Sequence, residues 1–409
     1  MIKKSVTAIG FTAILWLITT PLFAGGIINK QNMSADYFRT LNRQAATDYA
    51  DITVYNPAGV MEMETGEYIK FDLQFISKAY ANSVPSVGRM EQNENSLLPG
   101  FYAIHKEDKW AGYIAASIVG GGGKIDYGNG NARSVTLISS LLSVPFSVAG
   151  TFPQRVQAES LYTGYTIGSA YSANNILSLS AGLRYVTAFK KYTLSAEGLP
   201  ALGDVVTELR DEANGWGGVF GVNIAPDNRW NIGLRFETAT ELDFELEVRQ
   251  GAALLALMGY DDGRKQREDL PALLGMGLSC KISDALKLDA NFIYFLEKSA
   301  VWHTGFDGAG DSYDVGFTAE YRLNSDWMAS IGYLYSDNNL DVDQLLVLPE
   351  EPKLDAHTIA IGGVWSPTET LDFTVGAIKV FYDDTTDLLG VHYDKDVWGL
   401  SCGVQWKFM

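Results

Sequence analysis

The connections between extended segments alternate strictly between tight and long, and few folds produce such a pattern. Fourteen segments read as strands, near 67–78, 97–106, 110–119, 159–172, 176–189, 215–225, 230–238, 271–281, 286–297, 312–322, 327–337, 355–365, 371–382 and 396–408. Tight turns fall at Glu107-Asp108, Ala173-Asn174, Pro226-Asp227, Ser283-Asp284, Asn324-Ser325 and Pro367-Thr368. The connections between them are long: 79–96, 120–158, 190–214, 239–270, 298–311, 338–354 and 383–395. A soluble sandwich gives no reason for this regularity. A membrane barrel does, with short turns on one side and long loops on the other, an even strand number and both chain ends on the short-turn side.

Within the segments, residues alternate with period two. In the last one, Trp398, Leu400, Cys402, Val404, Trp406 and Phe408 share a face opposite Gly399, Ser401, Gly403, Gln405 and Lys407. In the first, Ile69, Phe71, Leu73 and Phe75 oppose Lys70, Asp72 and Gln74. An apolar face with aromatics near both ends suits lipid outside and a polar lumen inside. The expected fold is all-β: a transmembrane antiparallel β-barrel of about fourteen strands. Open sheet edges cannot be satisfied in lipid, so the sheet must close.

Residues 1–24 read as a signal peptide, with Lys3 and Lys4 before the apolar run Ala8–Ile18 and a small residue, Ala24, at the cut. Its loss takes the net charge from −18 to −20. Such a charge repels nucleic acid. The destination is the outer membrane of a Gram-negative cell, reached through the barrel-assembly machinery, with lipid and lipopolysaccharide as surroundings and a monomer as the unit. Acidic residues such as Asp337, Asp383 and Asp384 fall in or beside loops as solvated charge, with cation bridging to lipopolysaccharide as the alternative. Cys280 and Cys402 fall in apolar strand phases and are expected as free, lipid-facing thiols.

Segment 25–66 has no strand pattern. Fourteen strands enclose more space than side chains fill, so a hatch (plug) folded inward from 25–66 is expected before the barrel of 67–409; a free periplasmic extension is the alternative. Here Asp48-Tyr49-Ala50-Asp51 precedes Tyr55-Asn56-Pro57-Ala58-Gly59-Val60. This resembles the hatch signature of the long-chain fatty acid transporter family of outer-membrane proteins, the FadL/TodX-like group. Further likenesses follow in order: Pro99-Gly100-Phe101-Tyr102 through Trp110-Ala111-Gly112, Gly215-Trp216-Gly217-Gly218 through Asn231-Ile232-Gly233-Leu234-Arg235-Phe236, and Leu270-Pro271 before Gly275-Met276-Gly277. The chain departs from the family pattern at Arg39–Gln44, where glycines are usual, and at Gly120–Gly123, where the family has Pro-Phe-Gly after the third strand.

The resemblance implies passive uptake of hydrophobic compounds, foremost long-chain fatty acids, with capture at external loops and a hatch shift releasing ligand, sideways into the membrane. Asn56, Pro57, Ala58 and Gly59 are the hatch-gate residues. Aromatic hydrocarbon uptake and a structural or adhesive barrel with a closed lumen are the alternatives. Two loops carry apolar runs that water disfavours: Leu141, Leu142 and Phe146, and Leu254, Leu255, Leu257 and Met258. They form a ligand groove or pack on each other. Lumen-phase Arg184, Arg235 and Arg322 are candidates to pair a carboxylate, or else pair with Glu237 or Glu320. No catalytic motif, metal-ligand spacing or cofactor fingerprint is present, so no enzyme activity, metal or cofactor is expected.

Overall fold

The computed structural model describes residues 33–302, 310–339, 350 and 353–408, apart from the side chain of Leu257. The signal peptide and residues 25–32 lie outside the described residues. Fourteen strands form one closed antiparallel ring: β1 (Gly66–Val84), β2 (Gly88–Lys106), β3 (Trp110–Tyr127), β4 (Gln154–Ser172), β5 (Leu177–Leu199), β6 (Gly203–Ile224), β7 (Trp230–Glu237), β8 (Ala272–Lys281), β9 (Leu286–Leu296), β10 (Ser312–Arg322), β11 (Trp327–Asp337), β12 (Ala356–Thr368), β13 (Leu371–Tyr382) and β14 (His392–Phe408). The ring closes through β1 and β14, from Glu67 opposite Phe408 to Ser83 opposite His392.

The period-two phase is as the sequence reads. Phe71 is 50% exposed and Leu400 50%, whereas Lys70 and Gln74 are fully buried. Large apolar side chains cover the outside of the ring, including Ile167, Leu183, Phe317, Ile331 and Val375. A soluble monomer rarely exposes so continuous an apolar surface. No described helix is long and apolar enough to cross a bilayer; the continuous outward apolar surface lies on the strands. At the short-turn rim Trp327 stacks on Trp365 with centroids 5.8 Å apart, and Trp365 on Phe373 at 5.4 Å. Toward the other rim Phe292, Tyr313 and Tyr335 form a second aromatic group. These are the two interfacial girdles of a spanning barrel.

Two expected long loops are strands instead. Segments 79–96 and 190–214 continue β1–β2 and β5–β6 as ladders, turning at 85–87 and 200–202. Here the outward face meets water. Glu91, Asn93 and Asn95 point outward, and the hydrophobic contrast that marks a strand in lipid disappears while the hydrogen-bond ladder continues. The 120–158 connection carries the end of β3, α2 (Ala132–Leu142) and α3 (Phe146–Ala149), and 239–270 carries α4 (Ala252–Leu257) between two short strands. Helix α1 (Ala35–Thr40) precedes β1.

Cys280 and Cys402 are free and lie on the non-adjacent strands β8 and β14. Cys402 is exposed. Cys280 keeps the outward phase but is buried, between Trp230 and Leu288 on the flanking strands, correcting the expectation of a lipid-facing thiol.

Candidate functional site

Residues 34–61 are almost wholly buried and touch strands around the ring: α1 packs against β10–β14 and β1, and the 3₁₀ turns Ala50–Val54 and Pro57–Glu62 against β1–β6. The segment therefore sits inside the barrel, not free beside it. Glycines on the lumen phase make the room. A Cβ on Gly233 would fall 1.8 Å from the Gln44 carbonyl oxygen.

Charge holds the segment to the wall. Arg39 Nε lies 2.8 Å from Asp36, and its far nitrogen pairs with Glu320 of β10. Glu320 also takes Lys287 of β9 at 2.5 Å. Arg43 grips Asp51 through two bonds of 2.9 and 2.6 Å. Three cations, Arg39, Arg43 and Lys70, surround the Tyr49 ring. Burial opposes ionisation of Asp36, yet Lys70, Arg39 and Arg43 outweigh it and hold its pKa at about 2. Burial also dominates at Asp51, where Arg43 only partly offsets it, and pushes its carboxyl up to about 7.

Asn56 is an anchor. Its side-chain amide donates to the carbonyls of Gln44 and of Val222 on β6, both at 3.1 Å. Its backbone is extended, as a residue before proline prefers, and Pro57 opens the following 3₁₀ turn. Ala58 is fully buried, and a Cβ on Gly59 would lie 2.4 Å from the Ala46 carbonyl oxygen.

Above the segment lies a cavity of ≈ 180 Å³. Its apolar wall includes Leu41, Ile76, Leu98, Leu334, Ile378 and Val397. Among the described residues, the charged side chains in its lining are Lys78, Lys353 and Lys395 against one acid, Asp314. In a chain of net charge −18, the described lining of this chamber is net positive. Lys395 Nζ lies between the Tyr80 and Tyr382 rings, 4.5 and 4.6 Å from their centroids.

The cavity abuts a discontinuity in the wall. The β2–β3 ladder runs from Lys106–Ala111 only to Phe101–Ala116. Beyond it, 88–100 stays paired with β1, while β3 follows β4 through register shifts at Ile118–Gly120 and Gly120–Gly123. Gly121 and Gly123 have φ of +89° and +71°, which glycine adopts without strain. The glycine run that departs from the expected motif is thus what bends β3 away from β2.

The sequence-derived cations take other partners. Arg184 Nη1 lies 2.7 Å from Glu237, and Arg235 pairs with the same carboxylate. Neither lines the cavity. Arg322 is exposed at the end of β10, beside a short turn, because its strand leaves the lumen there. Among the loop residues, Leu255 and Met258 are buried in a cluster with Leu137, and Leu141 and Leu254 pack against that cluster. Leu142 and Phe146 pack on a second cluster around Ile138 and Ala149. None of these six lines the cavity, and the Leu257 side chain lies outside the described residues. The loops pack on the barrel rather than line this chamber. Sequence reading missed Lys353 and Lys395, which fall in segments read as loops; Lys78 stood in the inward phase of β1, and that was its signal.

No family model and no curated protein matches the chain. Solved structures do. A Pseudomonas aeruginosa FadL homologue superposes with a TM-score of 0.71 over 94% of this chain and all of its own, at 12% identity. The Pseudomonas putida toluene transporter TodX gives 0.65 over 89% of this chain and 96% of its own, at 14%. The Ralstonia pickettii toluene transporter TbuX gives 0.65 over 93% and 99%, at 13%. The fold and its outer apolar band define an outer-membrane transmembrane β-barrel. Within that class, the architecture is of the FadL/TodX type.

Proposed function

We propose that this chain is an outer-membrane uptake channel for hydrophobic compounds, foremost long-chain fatty acids. The observation that carries the reading is the largely apolar cavity inside the barrel, with three lysines in its lining, next to the wall break between β2 and β3. An apolar chamber with a few polar groups is the usual form of a small-molecule site, and a carboxylate head gains from a cation at its edge. Half-exposed Leu141, Leu142, Phe146 and Leu254 supply the first apolar contact at the external side, and the chamber is the second. The N-terminal segment acts as the hatch, with Asn56-Pro57-Ala58-Gly59 as its anchor.

The test is binding and passage in reconstituted vesicles. Laurate should bind and should cross faster than through vesicles without protein. Removing residues 25–60 should raise single-channel conductance in planar bilayers. Absence of binding rejects the reading, and unchanged conductance rejects the hatch.

Size favours a second reading. A chamber of ≈ 180 Å³ is close to the ~150 Å³ dry cavity that accepts benzene, and Tyr37, Tyr80 and Tyr382 present aromatic rings to it. Toluene binding tighter than laurate would select neutral aromatic uptake.

A further inference from the structure

Arg184 of β5 and Arg235 of β7 share one carboxylate inside the barrel. Arg184 Nη1 lies 2.7 Å from one oxygen of Glu237, and Arg235 Nη2 pairs with the other. The three side chains are almost wholly buried. Elsewhere in the lumen the ratio runs the other way: Arg39 meets Asp36 and Glu320, and Arg43 meets Asp48 and Asp51. Here two cations face one acid, and burying charge without a counter-charge is costly. Two bonds are also unmade. Among the described residues, neither Arg184 Nε nor Arg235 Nε has a hydrogen-bond partner, and both atoms are buried. Buried N–H groups in native interiors are nearly always bonded. The neighbouring strands place no side chain beside the arginines: Gly217 is in register with Arg184, and Gly221 and Gly275 flank Arg235. The internal segment forms the floor. β7 passes the Gln44 carbonyl at Gly233 and reaches Arg235 two residues further out, and a Cβ on Gly275 would meet Gln44 Oε1 at 2.6 Å. That oxygen has no donor either. None of these side chains lines the chamber.

Resting on the uptake reading above for the identity of the occupant, we infer that Arg184 and Arg235 form a second anion site, seated on the hatch, which takes the carboxylate head of the transported acid. One singly charged head brings the balance to two cations and two anions. The planar fork of a guanidinium fits a carboxylate edge to edge, and two forks that each keep an Nε–H unspent offer it donors from both sides. The Gln44 amide turns its N–H groups toward the same point, since its oxygen holds no donor in place. Val119 lies beside Arg184 over Gly164 and gives the first carbons of the tail an apolar contact. A neutral molecule of equal length neutralises nothing here and gains no such bonds. The arginine pair therefore separates acids from alcohols at the level of the hatch, after the chamber has admitted an apolar chain.

The experiment uses the full chain in phosphatidylcholine nanodiscs and laurate labelled with carbon-13 at the carboxyl carbon. Two protein-dependent carboxyl resonances should appear, one from the chamber and one from the arginine pair, each filled by one equivalent. Arg184→Gln should erase the second and leave the first. Lys395→Met should weaken the first and leave the second. Dodecanol, of equal length without charge, should displace label from the chamber alone. Glu237→Gln removes the competing carboxylate and keeps both cations, so it should raise affinity at the second site about tenfold; a triad that only braces β5 against β7 gains no affinity from this change. The count of sites in the native chain decides the matter if neither triad variant folds. A single protein-dependent resonance that saturates at one equivalent, or a second one indifferent to Arg184→Gln and Glu237→Gln, overturns the assignment alone and leaves the two Nε–H groups to water. No protein-dependent resonance at all overturns the uptake reading and the assignment together.

Discussion

Asp36 on the first helix and Lys70 on β1 meet at 2.9 Å with both side chains fully buried. This contact ties the internal segment to the strand that directly follows it. Removing one partner of a buried ion pair costs about 3–5 kcal/mol when the other charge is left alone; here Asp36 keeps Arg39 at 2.8 Å while Asp72 loses its Lys70 contact at 3.0 Å, so the loss falls at or below the lower end of that range. Lys70→Met should therefore loosen the segment far more than the barrel. Protease nicking within 33–65 should accelerate at least tenfold while the barrel stays folded by heat-modifiable gel migration. Nicking at the native rate would show that the pair does not hold the segment.

Docking of the segment should depend on pH through Asp51. In place, its carboxyl keeps a proton up to about pH 7, against 3.8 in water. The docked form therefore binds the extra proton between those values, and docking weakens as pH rises from about 4 to about 7, then levels off. Asp36, held at about 2, has the opposite sign and acts only below about pH 4. Nicking should be slower at pH 5 than at pH 8, and Asp51→Asn should flatten the difference. A rate that falls as pH rises over this range contradicts the assignment.

The outward phase of β14 fixes the cost of charge there. Leu400 is 50% exposed on the outer face. Arginine at this position near the bilayer midplane costs about 2–4 kcal/mol. Leu400→Arg should lower folding yield into lipid vesicles, whereas Ser401→Arg should fail through collision with the internal segment, whose Ala35 carbonyl lies 3.5 Å from the Ser401 hydroxyl. Removing residues 25–60 should rescue the second variant and not the first.

Leu255 is fully buried under the loop helices. Leu255→Ala should cost about 2–5 kcal/mol of local stability. Hydrogen exchange in residues 243–260 should speed up, with laurate affinity at the inner chamber held within about twofold. A tenfold loss of affinity would return this residue to ligand contact.

Much of the barrel is legible because lipid and lumen impose opposite demands on alternate residues. Phe71, Leu73 and Phe75 against Lys70, Asp72 and Gln74 need no further information. That contrast ends where β2 leaves the bilayer: Glu91, Asn93 and Asn95 face water, so ladder and loop look alike. The chamber is less legible. Its lysines come from β1, from the segment before β12 and from β14, and no spacing along the chain unites them. Arg184 and Arg235 lie in the inward phase that the sequence shows, and their pairing with Glu237 is one of the two alternatives it leaves open; the acid lies two residues beyond Arg235 on β7, and the barrel brings Arg184 of β5 to it. Leu254 and Leu255 are apolar residues in a long connection, a pattern that groove and lid packing produce equally well.

The length of β5 has a consequence for where molecules are met. It runs 23 residues, which at about 3.3 Å each and a tilt of about 40° rises nearly 60 Å. The apolar band needs about 25 Å of that. Roughly 30 Å of walled, hydrogen-bonded sheet therefore stands proud of the outer leaflet on this side of the ring, like a chimney above a roof. A greasy molecule approaching its mouth bypasses the layer of charged, hydrated sugar and phosphate that otherwise shields the hydrocarbon from it.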